Sequence, residues 1–193
     1  DMNTVIRMRV MVDHEDVIFR DLEMPSTANF GELHDLIQEA FAFDNSQMAS
    51  FYVSNEDWEK GQEFTLVDMG EKNEKDEPIL LMQDSLLKDV IFESGQKLLY
   101  VFDFFLMWCF YIDVVEIKTL EETVIVPRIA QSFGDAPDQN SKSPEISFEI
   151  EDELREDDDD EQDEYAEMFD ILGLNDDFSE GVYMRFLKQI DPF

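Results

Sequence analysis

The chain has 193 residues, with 48 Asp and Glu against 14 Lys and Arg, for a formal net charge of −34. Affinity for nucleic acid and anionic lipid comes from Lys and Arg neutralising phosphate, so a field of this sign argues against direct binding to either. The single cysteine, Cys109, excludes an internal disulfide framework, while 17 Phe, 5 Tyr and 2 Trp supply ample apolar bulk for one domain.

The first recognisable element is Asn3 to Val12. Val5, Arg7, Arg9 and Met11 alternate with Ile6, Met8, Val10 and Val12, the period-two pattern of a half-buried strand. A polar turn from His14 leads to a second strand, Val17 to Met24, so a β-hairpin is expected. Pro25 ends it. Asn29 followed by Glu32 reads as a capping box. Phe30, Leu33, Ile37, Ala40 and Phe41 then fall at helical spacing, laying one stripe on the sheet. His34 lies beside that stripe, where a helix-surface or boundary position is expected. Met48 to Ser54 reads as a third strand, Asn55 to Gly61 as a turn carrying Trp58, and Glu63 to Asp68 as a short edge strand. Met69 to Pro78 is charged and loop-like. A brief strand at Ile79–Met82 and a short helix at Ser85 to Ile91 complete this half.

The longest apolar run is Lys97 to Ile117, KLLYVFDFFLMWCFYIDVVEI. Its longest uncharged piece, Phe104 to Ile112, is far short of the roughly 20 residues of a membrane-spanning helix. Its Phe, Tyr, Val and Ile content suits a buried, pleated surface instead. Two central strands are expected, about Leu98–Phe104 and Leu106–Ile117, with Cys109 a buried and inert thiol. Thr123 to Ala130 is another strand, and Pro127 within it implies an edge or bulge, because proline cannot donate to the ladder. Ser132 to Pro144 reads as a loop or linker.

Beyond it the composition changes. Glu149 to Glu164 holds twelve acids and one arginine, a density at which like-charge repulsion opposes compaction. Tyr165 to Leu172 and Val182 to Ile190 regain apolar residues and read as short amphipathic helices that dock on this domain or on a partner. The expected fold is α+β: a mixed, mainly antiparallel sheet that opens with a β-hairpin and then a helix, packed helices on one face, and an acidic C-terminal extension. The expected division is a domain at 1–148, an acidic low-complexity segment at 149–164 and short amphipathic helices at 165–193. The charged, alternating opening strand does not resemble a leader, which sets cytoplasmic as the expectation.

Chemistry-bearing motifs are sparse. There are two histidines, no nucleophile elbow, no phosphate-cradling glycine loop and no Cys/His ligand spacing. The run from Asp157 to Glu164 lacks the glycine that an EF-hand turn requires, so neither metal nor cofactor is expected. Asp103 and His34 are the catalytic candidates. Asp103 is an acid inside an apolar strand pair, where burial demands a cation or hydrogen-bond donors. Pairing with Arg7, Arg9 or Arg20 is the structural expectation. The layout favours a non-enzymatic protein-interaction module whose acidic tail engages an unidentified basic partner. Asp157, Asp158, Asp159, Asp160, Glu161, Phe186 and Leu187 are the contact candidates. The alternatives are an enzyme of unknown reaction using Asp103 and His34, and a DNA mimic.

Two stretches resemble a known family. Leu33-His34-Asp35-Leu36-Ile37-Gln38-Glu39-Ala40-Phe41 is similar to its helix reading LH-x-x-I-x-x-A-F. Tyr100 to Trp108 is similar to its hairpin reading Y-x-Y-D-F-G-D-x-W, with Phe105-Leu106 where the hallmark has Gly-Asp. Leu86 to Val90, Pro127-Arg128 and Gly134 to Pro137 resemble further segments. On these residues the chain resembles the plasmid pRiA open-reading-frame-three-like proteins over about residues 3–140. The resemblance implies an α+β fold with a mixed sheet and packed helices. It also implies an association with mobile elements, and no established activity.

Overall fold

The computed structural model describes residues 3–70, 72–73 and 75–143. Eight strands form one sheet: β1 (Thr4–Val12), β2 (Phe19–Pro25), β3 (Ala49–Ser54), β4 (Glu63–Thr65), β5 (Leu80–Leu81), β6 (Lys97–Phe102), β7 (Trp108–Thr119) and β8 (Arg128–Phe133). Their order across the sheet is β5-β4-β3-β6-β7-β1-β2-β8. Only β4 and β5 pair in parallel. Short connections between chain neighbours favour this antiparallel arrangement. β1–β2 and β6–β7 are the two hairpins expected from the alternating pattern.

The long central run is divided by a turn, Asp103 to Met107, rather than by one bend residue. Both strands are accordingly shorter there than the sequence suggests. β7 instead extends to Thr119 and carries a register shift against β1: Arg7 faces Glu116 while Met8 faces Val114. The extra residue, Val115, is exposed, as expected for a β-bulge. The final strand begins at Arg128, directly after Pro127, the one residue without an N–H to offer. Thr123 to Val126, expected within that strand, belongs to the preceding connection.

The α-helix α1 (Phe30–Ala40) carries the capping box in full. Asn29 Oδ1 accepts from the Glu32 N–H at 2.9 Å, and Glu32 Oε2 accepts from the Asn29 N–H at 2.8 Å. Its apolar stripe covers one face of the sheet. Ile6, Met8, Val10, Leu22, Phe51, Leu98 and Phe110 rise from the strands to meet Phe30, Leu33 and Ile37. Phe30 is wholly buried, stacked 4.4 Å from Phe64 and tilted 5.3 Å from Phe51.

The expected set of packed helices is not found. Among the described residues α1 is the sole α-helix, beside two single-turn 3₁₀ helices at Met82–Asp84 and Leu87–Asp89. The segment from Ser85 to Ile91, expected as a short helix, winds as a single 3₁₀ turn in which the Asp89 and Val90 N–H groups donate three residues back, to Leu86 O and Leu87 O. The Leu87 N–H donates to Ala28 O and the Lys88 N–H to Ser26 O, tying this segment to the turn before α1. The protein is a mostly-strand mixed sheet with few helices. The acidic extension and the expected helices of 165–193 lie outside the described residues.

The other face of the sheet has a smaller core. Met11, Phe19, Leu99, Val101, Cys109 and Tyr111 pack together, and Trp58 closes over them. Trp58, carried by the expected turn, is 1 % exposed and meets Tyr111 edge to face at 4.9 Å. No helix among the described residues is long and apolar enough to cross a membrane.

Candidate functional site

Three polar clusters stand out against this apolar frame. The first lies under α1. His34 is completely buried, not at a helix surface or boundary. Its Nδ1 lies 2.7 Å from Tyr100 Oη and its Nε2 lies 2.5 Å from Asn45 Oδ1. Gln38 Nε2 donates to the same tyrosine oxygen at 2.8 Å, and Gln38 Oε1 accepts from the Asn45 N–H at 3.0 Å. Asn45 Nδ2 in turn donates to Asp35 Oδ1 at 3.0 Å. The helix supplies Asp35, His34 and Gln38, β6 supplies Tyr100, and Asn45 enters from the loop after α1 with φ +56°. Burial lowers the His34 pKa, against the opposing pull of Asn45 and Asp35. Burial likewise pushes the Tyr100 hydroxyl far above its ordinary range. The buried part of the network, His34, Tyr100 and Gln38, is therefore one of neutral groups joined by hydrogen bonds, and Asn45 links it to the exposed Asp35 carboxylate that closes its outer end.

The second cluster is the turn holding Asp103. This residue adopts φ +60°, a conformation that short polar side chains tolerate. Its Oδ1 accepts from the N–H groups of Phe105 and Leu106, each at 3.0 Å. Its own N–H donates to Met48 O at 2.8 Å. The donors that compensate its burial are thus backbone amides of its own turn, not the arginines expected from the sequence.

Those arginines serve a third cluster, on the sheet face away from α1. Asp21, buried on β2, takes Arg7 Nη2 at 3.0 Å and Arg9 Nε at 2.8 Å. Arg9 also lies 4.4 Å from the centre of the Phe19 ring. Glu23, two residues along, accepts from Arg128 Nε at 2.7 Å and sits 2.8 Å from Lys118 Nζ. Burial opposes the charged form of Glu23, but Lys118 and Arg128 outweigh it and hold its pKa below the ordinary value. Lys97 meets Asp113 at 2.6 Å; there burial wins over the lysine, and the Asp113 pKa rises. Arg20 sits apart, on the α1 side. It gathers the carbonyls of Phe19, Ala40, Phe133 and Gly134 at 2.8 to 3.0 Å, tying α1, β2 and the end of β8 together.

Asp103 and His34 thus belong to separate hydrogen-bond groups. Cys109 is a free, buried thiol whose pKa burial pushes up to about 12, as its place in the apolar run suggested. Among the described residues no group of three or more His, Cys, Asp or Glu is placed to hold a metal ion. Asp157 to Glu161, Phe186 and Leu187 lie outside the described residues. Asp21, Glu23, Gln38, Asn45 and Tyr100 escaped the sequence reading. The signal for the first two was present, since Asp21 and Glu23 alternate in phase with Phe19 and so share a sheet face with Arg7 and Arg9.

The helix carrying His34 and the turn carrying Asp103 are also the two stretches of the earlier resemblance. The family described as plasmid pRiA4b ORF-3-like protein matches residues 4–181. The chain belongs to that family. No curated protein matches it. The crystal structure of a protein of unknown function from Methanosarcina mazei Go1 superimposes with a TM-score of 0.63 at 19 % identity, covering 93 % of this chain and 94 % of that one. At that identity the likeness speaks for the shared fold alone. The family gives the two motif stretches a common context: one lines the buried polar network and the other makes the hairpin turn.

Proposed function

We propose that this family member is a cytoplasmic, non-enzymatic interaction module whose acidic stretch, Glu149 to Glu164, engages a basic protein partner. The observation that carries this reading is where the domain's cations go. Arg7 and Arg9 are committed to Asp21, Lys118 and Arg128 to Glu23, and Lys97 to Asp113. Arg20 is spent on backbone carbonyls. The acidic stretch, with twelve acids and one arginine, outweighs the domain's five other cations, Lys60, Lys72, Lys75, Lys88 and Lys142, and so draws most of its counter-charge from outside the chain. Opposite charge also speeds such an encounter. The placement of the two catalytic candidates supports a scaffold role for both. His34 is enclosed by satisfied partners, and the Asp103 carboxylate is occupied by its own turn.

The test is a nuclease-treated pull-down that compares the full chain with a chain ending at Phe148. A basic protein is expected on the full chain alone at moderate salt, and it is expected to leave as salt is raised, because screening weakens exposed charge pairs. Equal capture by both chains, or capture that survives high salt, would overturn the reading. Competition by duplex DNA for the captured protein would mark the acidic stretch as a phosphate mimic.

A further inference from the structure

The last described residues return to the tip of the β6–β7 hairpin and are fastened there. Trp108 Nε1 donates to Gln139 O at 3.0 Å. The Gln139 side chain and Asp44 exchange two hydrogen bonds, at 2.7 and 2.8 Å. Lys142 donates to Met107 O, and its Nζ lies 5.6 Å from the centre of the Trp108 ring. The same tip presents two large apolar side chains to solvent, Phe104 at 46 % exposure and Phe105 at 64 %. The Asp103 carboxylate fixes the turn that presents them.

From this point fifty residues follow, 144–193. They contain two apolar groups. One comprises Met168, Phe169, Ile171 and Leu172, and the other Tyr183, Phe186, Leu187 and Ile190. The family match ends at residue 181, between the two. The first group therefore lies within the stretch held in common with the family, and the second lies beyond it.

We infer that Met168 to Leu172 docks on Phe104 and Phe105, closing residues 144–167 into an acidic loop anchored at both ends. Twenty-four intervening residues reach about 80 Å at roughly 3.3 Å each, far more than a return to the tip needs. A tethered segment sees its site at an effective concentration in the millimolar range, and the entropy of closing the loop grows only slowly with length. A second copy of the chain is a poorer occupant, since each carries a net charge of −34. The inference goes beyond the interaction reading: the acidic stretch becomes a held loop, and the second apolar group is left for a partner.

Hydrogen exchange measured by mass spectrometry on the full chain tests this. Three proteins are compared: the unchanged chain, the double variant F104S/F105S, and the double variant F169S/L172S. Peptides spanning 166–173 are expected to exchange about tenfold more slowly in the unchanged chain than in either variant. Both tip residues are substantially exposed, so the first variant is expected to keep its thermal transition. Equal exchange in all three proteins would overturn the inference. So would slowed exchange that appears only as protein concentration rises, since that is the signature of a second copy. Poly-L-lysine titration reads the acidic stretch separately. Loss of that binding with slow exchange intact would sink the interaction reading and leave the docking standing.

Discussion

At His34 an imidazole is enclosed between Tyr100 and Asn45 with no exposed surface. Burial lowers its pKa in the folded protein, whereas in the unfolded chain it protonates near pH 6.5. Between those two values the unfolded state binds the extra proton, so the stability from this site is complete above the unfolded value. It is lost as pH falls toward the folded one. The thermal midpoint is expected to drop between about pH 7.5 and pH 5.5, and His34→Gln is expected to flatten that slope. A slope unchanged by the substitution would show that other groups set it. Asp103 calls for a different experiment, because its work is geometric. Asn keeps the acceptor for the Phe105 and Leu106 amides and tolerates φ +60°. Asp103→Asn is therefore expected to unfold in urea near the unchanged midpoint. Asp103→Val loses the acceptor and is strained by the backbone, at a cost of about 1–3 kcal/mol.

At the scale of elements, α1 is held by its capping box and by the burial of its first residue. Phe30→Ala would open a void between Phe51 and Phe64, and a loss of about 3–5 kcal/mol in a denaturant titration is expected. This helix was legible because capping and a 3.6-residue stripe are local signals. The strands were legible for the same reason, their period of two. What the sequence hid is non-local. His34 could be placed beside the stripe, but its burial depends on Tyr100, 66 positions away, and on the loop holding Asn45. The segment from Ser85 to Ile91 reads as a short helix, yet its Leu87 and Lys88 N–H groups pair with Ala28 and Ser26, far back in the chain, and it forms only a 3₁₀ turn. Arg7 and Arg9 were available to any buried acid. Only the β1–β2 register decides that Asp21 takes them and that Asp103 is left to its own turn.

At the scale of the molecule, the sheet ends unequally. Among the described residues, one side closes with β5, two residues long, and the other ends in β8, with five of its six residues exposed. The one charge on β8, Arg128, is already neutralised by Glu23. Natural sheets blunt such an outer strand with lysine, proline or a bulge so that it cannot template another chain. Among the described residues, Pro127 and the register shift beside Asp21 protect only its beginning. The rest is guarded at a distance, by the repulsion between chains of net charge −34. Dissolved electrolyte thus becomes the control on self-assembly. At about 1 M salt the screening length falls to roughly 3 Å, and light scattering is expected to report growing β-rich particles. Gln131→Lys, which writes the missing charge onto the strand itself, is expected to keep the solution clear at the same salt.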